Sequence, residues 1–420
     1  MPAQPHETPL YDRSFPIGDT LRPPWDDRLA QGSRIAAVRT IVTAPEGINL
    51  VVVRVDTDEP GLYGFGCATF AHRAHAVTAV VNDYLAPRII GRRVDDITDV
   101  VTTLATGPYW RGGAIENSAL SGIDMALWDI AGRRAGQPVW ALTGGRVRRD
   151  LPCYRTVYGH TEQLLFTTLQ DRITAGERAF RTIVAADELP GRTVGDAATL
   201  TRNTAGLLHR LRSEFGSDVD FIVDVHGQLR PPDAITLALE LEPLRPFYLE
   251  DPLSVDDLDW LPALRARTTV PLATGEVFTS ARDALGLLAG HAIDFLRCHV
   301  SAIGGFTPAL KLAAVAEFSG VRTAWHGPAD CSPIGHAANV ALAVTSPSFG
   351  IHEHHQPSAA TREVFPGAPV ATDGVVAPST APGWGVEVDE EAAAGYPPVA
   401  ADRLSGFEGH RRRDGSIQPP

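Results

Sequence analysis

The chain has 420 residues, with 37 lysines and arginines against 50 aspartates and glutamates, a net charge of −13. Its length exceeds a lone (β/α)8 barrel of about 250 residues, so a second domain or large additions are expected. The acidic balance excludes the basic face that nucleic acid needs and disfavours anionic membranes, while 44% hydrophobic residues suit an ordinary globular core.

Residues 1–33 are rich in proline and charge and read as an N-terminal arm. No basic segment followed by an apolar core opens the sequence, and no apolar run approaches the roughly 18 residues of a membrane span. Cys67, Cys153, Cys298 and Cys331 are scattered without CxxC spacing, which reads as buried free thiols in a reducing compartment. A cytoplasmic protein is expected. From Ile35 to about Val55 two alternating runs flank Gly47 and predict an antiparallel pair. Helical stretches follow around 73–86, 95–105 and 115–135. Together they predict an α+β domain over 34–145, ahead of a barrel over 146–375 and a C-terminal segment over 376–420.

Barrel strand 1 is expected at Leu151–Tyr158 and strand 2 at Ala179–Val184. Six short apolar runs then each lead into a chargeable residue: Asp224, Glu250, Glu276, Arg297, His326 and Glu353. The steps between them are 26, 26, 21, 29 and 27 residues. A βα unit needs about 30 residues or slightly fewer, so each step holds one strand and one return helix. Strands buried on both faces read as continuous apolar runs. Barrel strands open their C-terminal ends on one face, so the six residues are expected in one pocket. Three acids gathered there need neutralising, either by a hard divalent cation such as Mg2+ or by the chain's many arginines. Among the basic residues only Lys311 is lysine, on an expected outer helix, so a lysine base or Schiff base has no good candidate.

The stretch Ala119-Leu-Ser-Gly-Ile-Asp-Met-Ala-Leu-Trp-Asp-Ile-Ala-Gly-Arg-Arg-Ala-Gly-Gln-Pro-Val-Trp-Ala-Leu-Thr-Gly-Gly145 resembles the signature that precedes the barrel in the mandelate racemase/muconate lactonizing branch of the enolase superfamily. Asp224-Val-His226-Gly, Leu249-Glu-Asp-Pro, Gly275-Glu-Val-Phe, Thr323-Ala-Trp-His-Gly-Pro-Ala-Asp330 and Phe349-Gly-Ile-His-Glu353 resemble its mannonate dehydratase group, which includes proteins labelled starvation-sensing. The resemblance implies a modified (β/α)8 TIM barrel with an N-terminal α+β capping domain completed by the C-terminal segment. It implies Mg2+ on Asp224, Glu250 and Glu276, and a sugar-acid dehydratase acting on an aldonate such as mannonate or gluconate. The partner expected is a small carboxylate substrate, and relatives often form symmetric homo-oligomers.

By the same resemblance His226 is the acid that assists loss of water. His326 is the base of racemases, or a substrate contact in dehydratases. Arg297, Asp330, Glu353 and His160 would touch substrate, with an Arg297–Glu353 ion pair as the alternative. His352, His354 and His355 read as rim residues rather than ligands. Asn49 of the cap hairpin would reach the pocket from above. The chain departs from the pattern in four places. His299 stands where racemases with a His/Asp dyad carry the aspartate. Arg181 or Arg192 could supply the dehydratases' arginine, but no tyrosine follows before Tyr248. The Lys-x-Lys pair of other branches is missing. The tail ends Arg413-Asp-Gly-Ser-Ile-Gln-Pro-Pro without the usual aromatic residue. A hydroxy-acid racemase or epimerase, and a metabolite binder without turnover, therefore stand as alternatives.

Overall fold

The computed structural model describes residues 32–159, 161–184, 197–400, 411 and 414–417, so most of the N-terminal arm lies outside it. Strands β1 (Ile35–Thr43) and β2 (Leu50–Thr57) pair antiparallel around the Gly47 turn. A third strand, β3 (Tyr63–Cys67), joins the other edge of β2. Its sequence, Tyr-Gly-Phe-Gly-Cys, reads locally as a turn rather than a strand. The glycines reflect packing: the long helix Ala114–Ala135 crosses β3 so closely that a Cβ on Gly66 would strike the Gly122 carbonyl oxygen. Helical segments Ala74–Ala79, Val80–Leu85, Ala86–Ile89 and Ile97–Thr106 complete this cap. Val51, Val53, Val55, Ile123, Leu127 and Ile130 form part of its own core.

The second half is a barrel. Strands β4 (Leu151–Gly159), β5 (Ala179–Val184), β6 (Asp220–Asp224), β7 (Leu249–Glu250), β8 (Leu272–Thr274), β9 (Phe295–Leu296) and β10 (Arg322–Thr323) lie side by side in parallel. Strand β11 (His352–Glu353) pairs in parallel with β4, and a Thr323–Phe349 bridge joins β10 to the segment before it. That closes the ring. A helix returns the chain between each successive pair. Pro231–Leu241 shows why: proline opens it, and Ala234, Leu237, Ala238 and Leu241 recur on one buried face. Burying Leu237 and Leu241 contributes roughly 1.5–3 kcal/mol each.

The barrel interior has a layer to which each strand, or the residue adjoining it, contributes: Tyr154, Ala179, Ile222, Tyr248, Ala273, Phe295, Ala324 and Ile351. Side chains on a strand alternate faces, so the residue two further on points into the same lumen, one layer closer to the mouth. Those residues are Thr156, Arg181, Asp224, Glu250, Gly275, Arg297, His326 and Glu353. Five of the six run-ending residues, Asp224, Glu250, Arg297, His326 and Glu353, therefore form the upper floor of a packed barrel.

The Gly/Pro-rich tail holds more order than its composition suggests. Strands β12 (Ala371–Thr372) and β13 (Val375–Val376) form a hairpin whose second strand pairs with the start of β4. Helix Glu390–Ala394 then lies against the cap. Glu390 pairs with Arg39 at 2.6 Å, and the Ala44 N–H donates to the Tyr396 carbonyl at 2.9 Å. Two aspartates of the Ala119–Gly145 stretch tie these parts together. Asp124 accepts the Thr307 N–H at the start of barrel helix Phe306–Phe318, and Asp129 accepts the N–H groups of Phe65 and Trp384. No helix among the described residues is long and apolar enough to cross a membrane. The four cysteines are free and buried, and Lys311 is exposed.

Candidate active site at the barrel mouth

Asp224 and Glu250 end neighbouring strands in direct register. Arg181, from the adjacent strand β5, reaches between them. Its Nη1 lies 2.9 Å from Asp224 Oδ2 and 2.8 Å from Glu250 Oε1, and its Nη2 lies 3.2 Å from Glu353 Oε1. Arg297 enters from the opposite side of the ring. Its Nη1 contacts Glu250 and stands 3.3 Å from Glu276 Oε2. Its Nη2 pairs with Glu353 and donates to the Tyr154 hydroxyl at 2.8 Å. Glu353 also accepts the Gly327 N–H at 2.9 Å.

Glu276 stands one residue past the position that alternation predicts, because Gly275 takes φ +137°. A Cβ on Gly275 would sit 3.0 Å from the Cys298 nitrogen, so only glycine lets β8 pass this close to Arg297 and Cys298. Two other residues take left-handed backbone at strand ends without being glycine: His226 at φ +46° and Asp251 at φ +38°. Such strain clusters at functional sites.

Two histidines flank the acids. His226 Nε2 lies 3.1 Å from Asp224 Oδ2, and its main-chain N–H donates to Asp224 Oδ1 at 3.0 Å. The two side chains pair although His226 lies past the strand end, because a tight turn brings it back beside Asp224. His326 Nε2 lies 3.2 Å from Glu276 Oε2, while its Nδ1 lies 2.9 Å from His299 Nδ1.

Charge is unbalanced here. Among the described residues, Asp224, Glu250, Asp251, Glu276 and Glu353 face two guanidiniums, those of Arg181 and Arg297. Burial, with help from Glu276 and Asp251 against Arg181, pushes Asp224 up to about 7. Burial also raises Glu250 and Asp251 well above the usual carboxylate range. Burial alone would raise Glu276, but His326, His226 and the two guanidiniums outweigh it and keep it ionised. Arg297 and Arg181 likewise overcome burial at Glu353 and hold it low. Burial lowers His326 to about 4 against the pull of Glu276, so its imidazole is neutral near pH 7. Glu250 Oε2 and Asp251 Oδ2 are buried without a hydrogen-bond partner. Oxygens of Asp224, Glu250 and Asp251 lie within 4.8 Å of one another. Orphaned carboxylate oxygens and surplus negative charge are what a hard divalent cation resolves.

Residues 28–144 match the N-terminal domain of the mandelate racemase/muconate lactonizing enzymes, and residues 171–392 match the enolase C-terminal domain-like family. A D-galactonate dehydratase family member from Catenulispora acidiphila is 43% identical over 98% of this chain and 99% of its own length. Another from Musicola paradisiaca is 41% identical over 87% and 94%. This chain belongs to the enolase superfamily, in its mandelate racemase/muconate lactonizing branch and the D-galactonate dehydratase family. It is thus a member of a family of hydro-lyases. An enolase from Pantoea ananatis, solved with bound D-gluconate and Mg, superposes with a TM-score of 0.87 at 38% identity, covering 93% of this chain and all of that one. A mandelate racemase/muconate lactonizing enzyme from Sulfitobacter superposes with a TM-score of 0.80 at 25% identity over 88% of this chain and 96% of that one.

The structure brings Asp224, Glu250, Glu276, Arg297, His326, Glu353 and His226 to one mouth. It also reassigns several of them. Arg297 is fully buried, with Glu250, Glu276, Glu353 and Tyr154 around it, so it is a counter-ion rather than a holder of sugar hydroxyls. Glu353, 2% exposed, is its partner. Asn49 does not reach the pocket. Its amide exchanges two hydrogen bonds with the Val399 main chain, at 3.1 and 2.8 Å, and pins the C-terminal segment. Glu46 leads from the cap hairpin toward the barrel instead, meeting His355 at 2.7 Å and the Ser358 N–H at 2.8 Å. Asp330 is half-buried on the loop after β10. His160 and Arg192 lie outside the described residues. Spacing and motif do not single out Asp251; Arg181, one of the two arginines the resemblance offers for the dehydratases' arginine, lies among the acids, paired with Asp224, Glu250 and Glu353. The two-residue step from Ala179 into the lumen is the signal that places Arg181 there.

Proposed function

We propose that this chain is a Mg2+-dependent dehydratase of an aldonic acid, in the class of gluconate and mannonate, yielding a 2-keto-3-deoxy acid. One observation carries this reading: an over-acidic cluster sits between two histidines that approach it from different strands. The D-gluconate and Mg bound to the Pantoea ananatis enolase support the substrate class and the ion.

Asp224, Glu250 and Glu276 would hold the ion. Asp224 and Glu250 bring paired oxygens, and Glu276 opens to the pocket, with its side chain 16% exposed. When bound, a divalent ion supplies Lewis-acid stabilisation for the charge that builds on a carboxylate as its α proton leaves. His326 is the base. Neutral at working pH, it would hold its proton on Nδ1 toward His299 Nδ1 and present the Nε2 lone pair to the pocket once Glu276, 3.2 Å from Nε2, is taken up by the ion. The imidazolium that forms is stabilised by Glu276 and Glu353. His226 is the acid, its Nε2–H aligned by Asp224 and delivered to the departing β-hydroxyl. The C2–H proton ends on His326, the C3–O bond breaks, and water leaves with the proton from His226. The resulting enol tautomerises to the ketone.

The test is incubation with Mg2+ and a panel of acid sugars in D2O, followed by NMR. Wild type is expected to release a 2-keto-3-deoxy acid. His226→Asn should stop water loss yet still exchange the C2 proton, while His326→Asn should stop both. Exchange or inversion at C2 without water loss would replace this reading with racemisation. Silence across the panel from folded, Mg2+-binding protein would replace it with metabolite binding.

A further inference from the structure

Behind the acid pocket lies a second cluster that the dehydration chemistry does not use. His352 and His354 flank Glu353. While Glu353 points into the lumen, they point outward toward helix Pro333–Thr345, which carries His336. All three are at most 4% exposed. Ring centroids of His336 and His354 lie 6.0 Å apart, and those of His352 and His354 lie 5.9 Å apart.

Two of the tautomers follow from the surroundings. His336 Nε2 lies 3.1 Å from the Pro328 carbonyl, which can only accept, so Nε2 carries the proton and Nδ1 is a bare lone pair. Gln356 Oε1 accepts the Ala371 N–H at 3.0 Å, so it is the amide oxygen that faces His354 Nε2, also at 3.0 Å. His354 Nε2 is therefore a donor as well, and its Nδ1 is bare. Both Nδ1 atoms, and both nitrogens of His352, are buried without a hydrogen-bond partner. One nitrogen from each ring lies within 4.8 Å of the others. Protons do not fill the gap near neutrality. Burial and mutual repulsion hold His352 at about 3 and His354 at about 2, and burial with the nearby His355 holds His336 at about 4.

We propose that His336, His352 and His354 form a metal site distinct from the carboxylate pocket, taking one transition-metal ion of borderline softness such as Zn2+. Zn–N bonds of about 2.1 Å place tetrahedral nitrogens about 3.4 Å apart, so small rotamer shifts close the set. The fourth position takes water or a small anion. The Pro328 carbonyl and Gln356 amide are the outer oxygens that orient metal-bound imidazoles. Three nitrogens favour Zn2+ over Mg2+, and the oxygen-lined mouth has the reverse preference, so the two sites separate by ligand chemistry. An ion here clamps β11, and with it Glu353, to helix Pro333–Thr345.

The test strips the full-length chain with a chelator, then equilibrates it with Zn2+ or Co2+ under excess Mg2+ that occupies the mouth. One tightly held transition-metal ion per chain is expected by elemental analysis, with three imidazole ligands by X-ray absorption and a rise in Tm. His354→Gln and His352→Gln should each lower Zn2+ affinity at least tenfold, while His326→Asn at the mouth keeps it. No retained ion, fewer than three imidazoles, or loss in His326→Asn with retention in His354→Gln would overturn the proposal. Should a glutamine variant fail to fold, the stoichiometry and ligand count of the wild-type chain decide.

Discussion

Glu276 and Asp251 both neighbour Asp224 and Glu250, yet their electrostatic settings are opposite. Asp251 is 3% exposed, accepts the Thr274 hydroxyl on Oδ1 at 2.6 Å, and is driven by burial toward its protonated form. Glu276 stays ionised beside two histidines and opens to the pocket. An ion shared with a substrate needs the open, charged ligand. Glu276→Gln is therefore expected to weaken Mg2+ binding at least tenfold, and Asp251→Asn less than about threefold, read by calorimetry; the reverse order would exchange their roles. Arg297 allows a second prediction at this scale. Replacing it with methionine strands Glu250, Glu276 and Glu353 in a buried setting, at a cost of about 3–5 kcal/mol near pH 7.5. In the wild type the lowered Glu353 adds stability above the unfolded carboxylate range, and that stability is lost as pH falls through its folded value. The variant lacks this contribution, so urea denaturation should show the gap narrowing below about pH 4.5.

Strand ends set the geometry of the site, and β8 is the strand on which one glycine decides it. Gly275→Ala would force a Cβ against the Cys298 main chain at a φ that L residues rarely adopt. The expected cost is about 1–3 kcal/mol. Because the next residue is Glu276, Mg2+ affinity should fall together with Tm, whereas a purely global effect would leave the affinity of the folded fraction unchanged. The same element explains what is legible in the sequence. Runs such as Asp220–Asp224 are apolar on both faces and end in one charge, so spacing alone reveals the barrel and six residues of its mouth. β3 is not legible, because its glycines serve the close passage of helix Ala114–Ala135, a tertiary requirement that looks locally like a turn. Asn49 is equally opaque, since a polar residue in a hairpin does not reveal that its partner is the main chain 350 residues away. The His336–His352–His354 cluster is hidden for a related reason. Its members come from a helix and a strand, and alternation traced only along the inward face leaves His352 and His354 at the rim.

At the scale of the whole molecule, two populations of buried groups pull stability in opposite directions with pH. Asp224, near 7, and the raised Glu250 and Asp251 favour the fold most fully below the unfolded carboxylate pKa of about 4. Their contribution is lost as pH rises through the folded values. The depressed imidazoles of His326, His336, His352 and His354 favour the fold above about 6.5, and that contribution is lost as pH falls toward their folded values of about 4 to 2. Bound at the mouth, Mg2+ would couple to the acids, because it would have to displace their protons. A concentration 100-fold above Kd at pH 8 should therefore stabilise the chain by about 2.7 kcal/mol. At pH 5 the two-unit gap below the Asp224 value weakens binding about a hundredfold, leaving about 0.4 kcal/mol. Denaturation with and without Mg2+ at the two pH values measures this directly. An equal gain at both would mean that the ion does not compete with protons on these carboxylates, and that Asp224 and Glu250 are held by Arg181 and Arg297 alone.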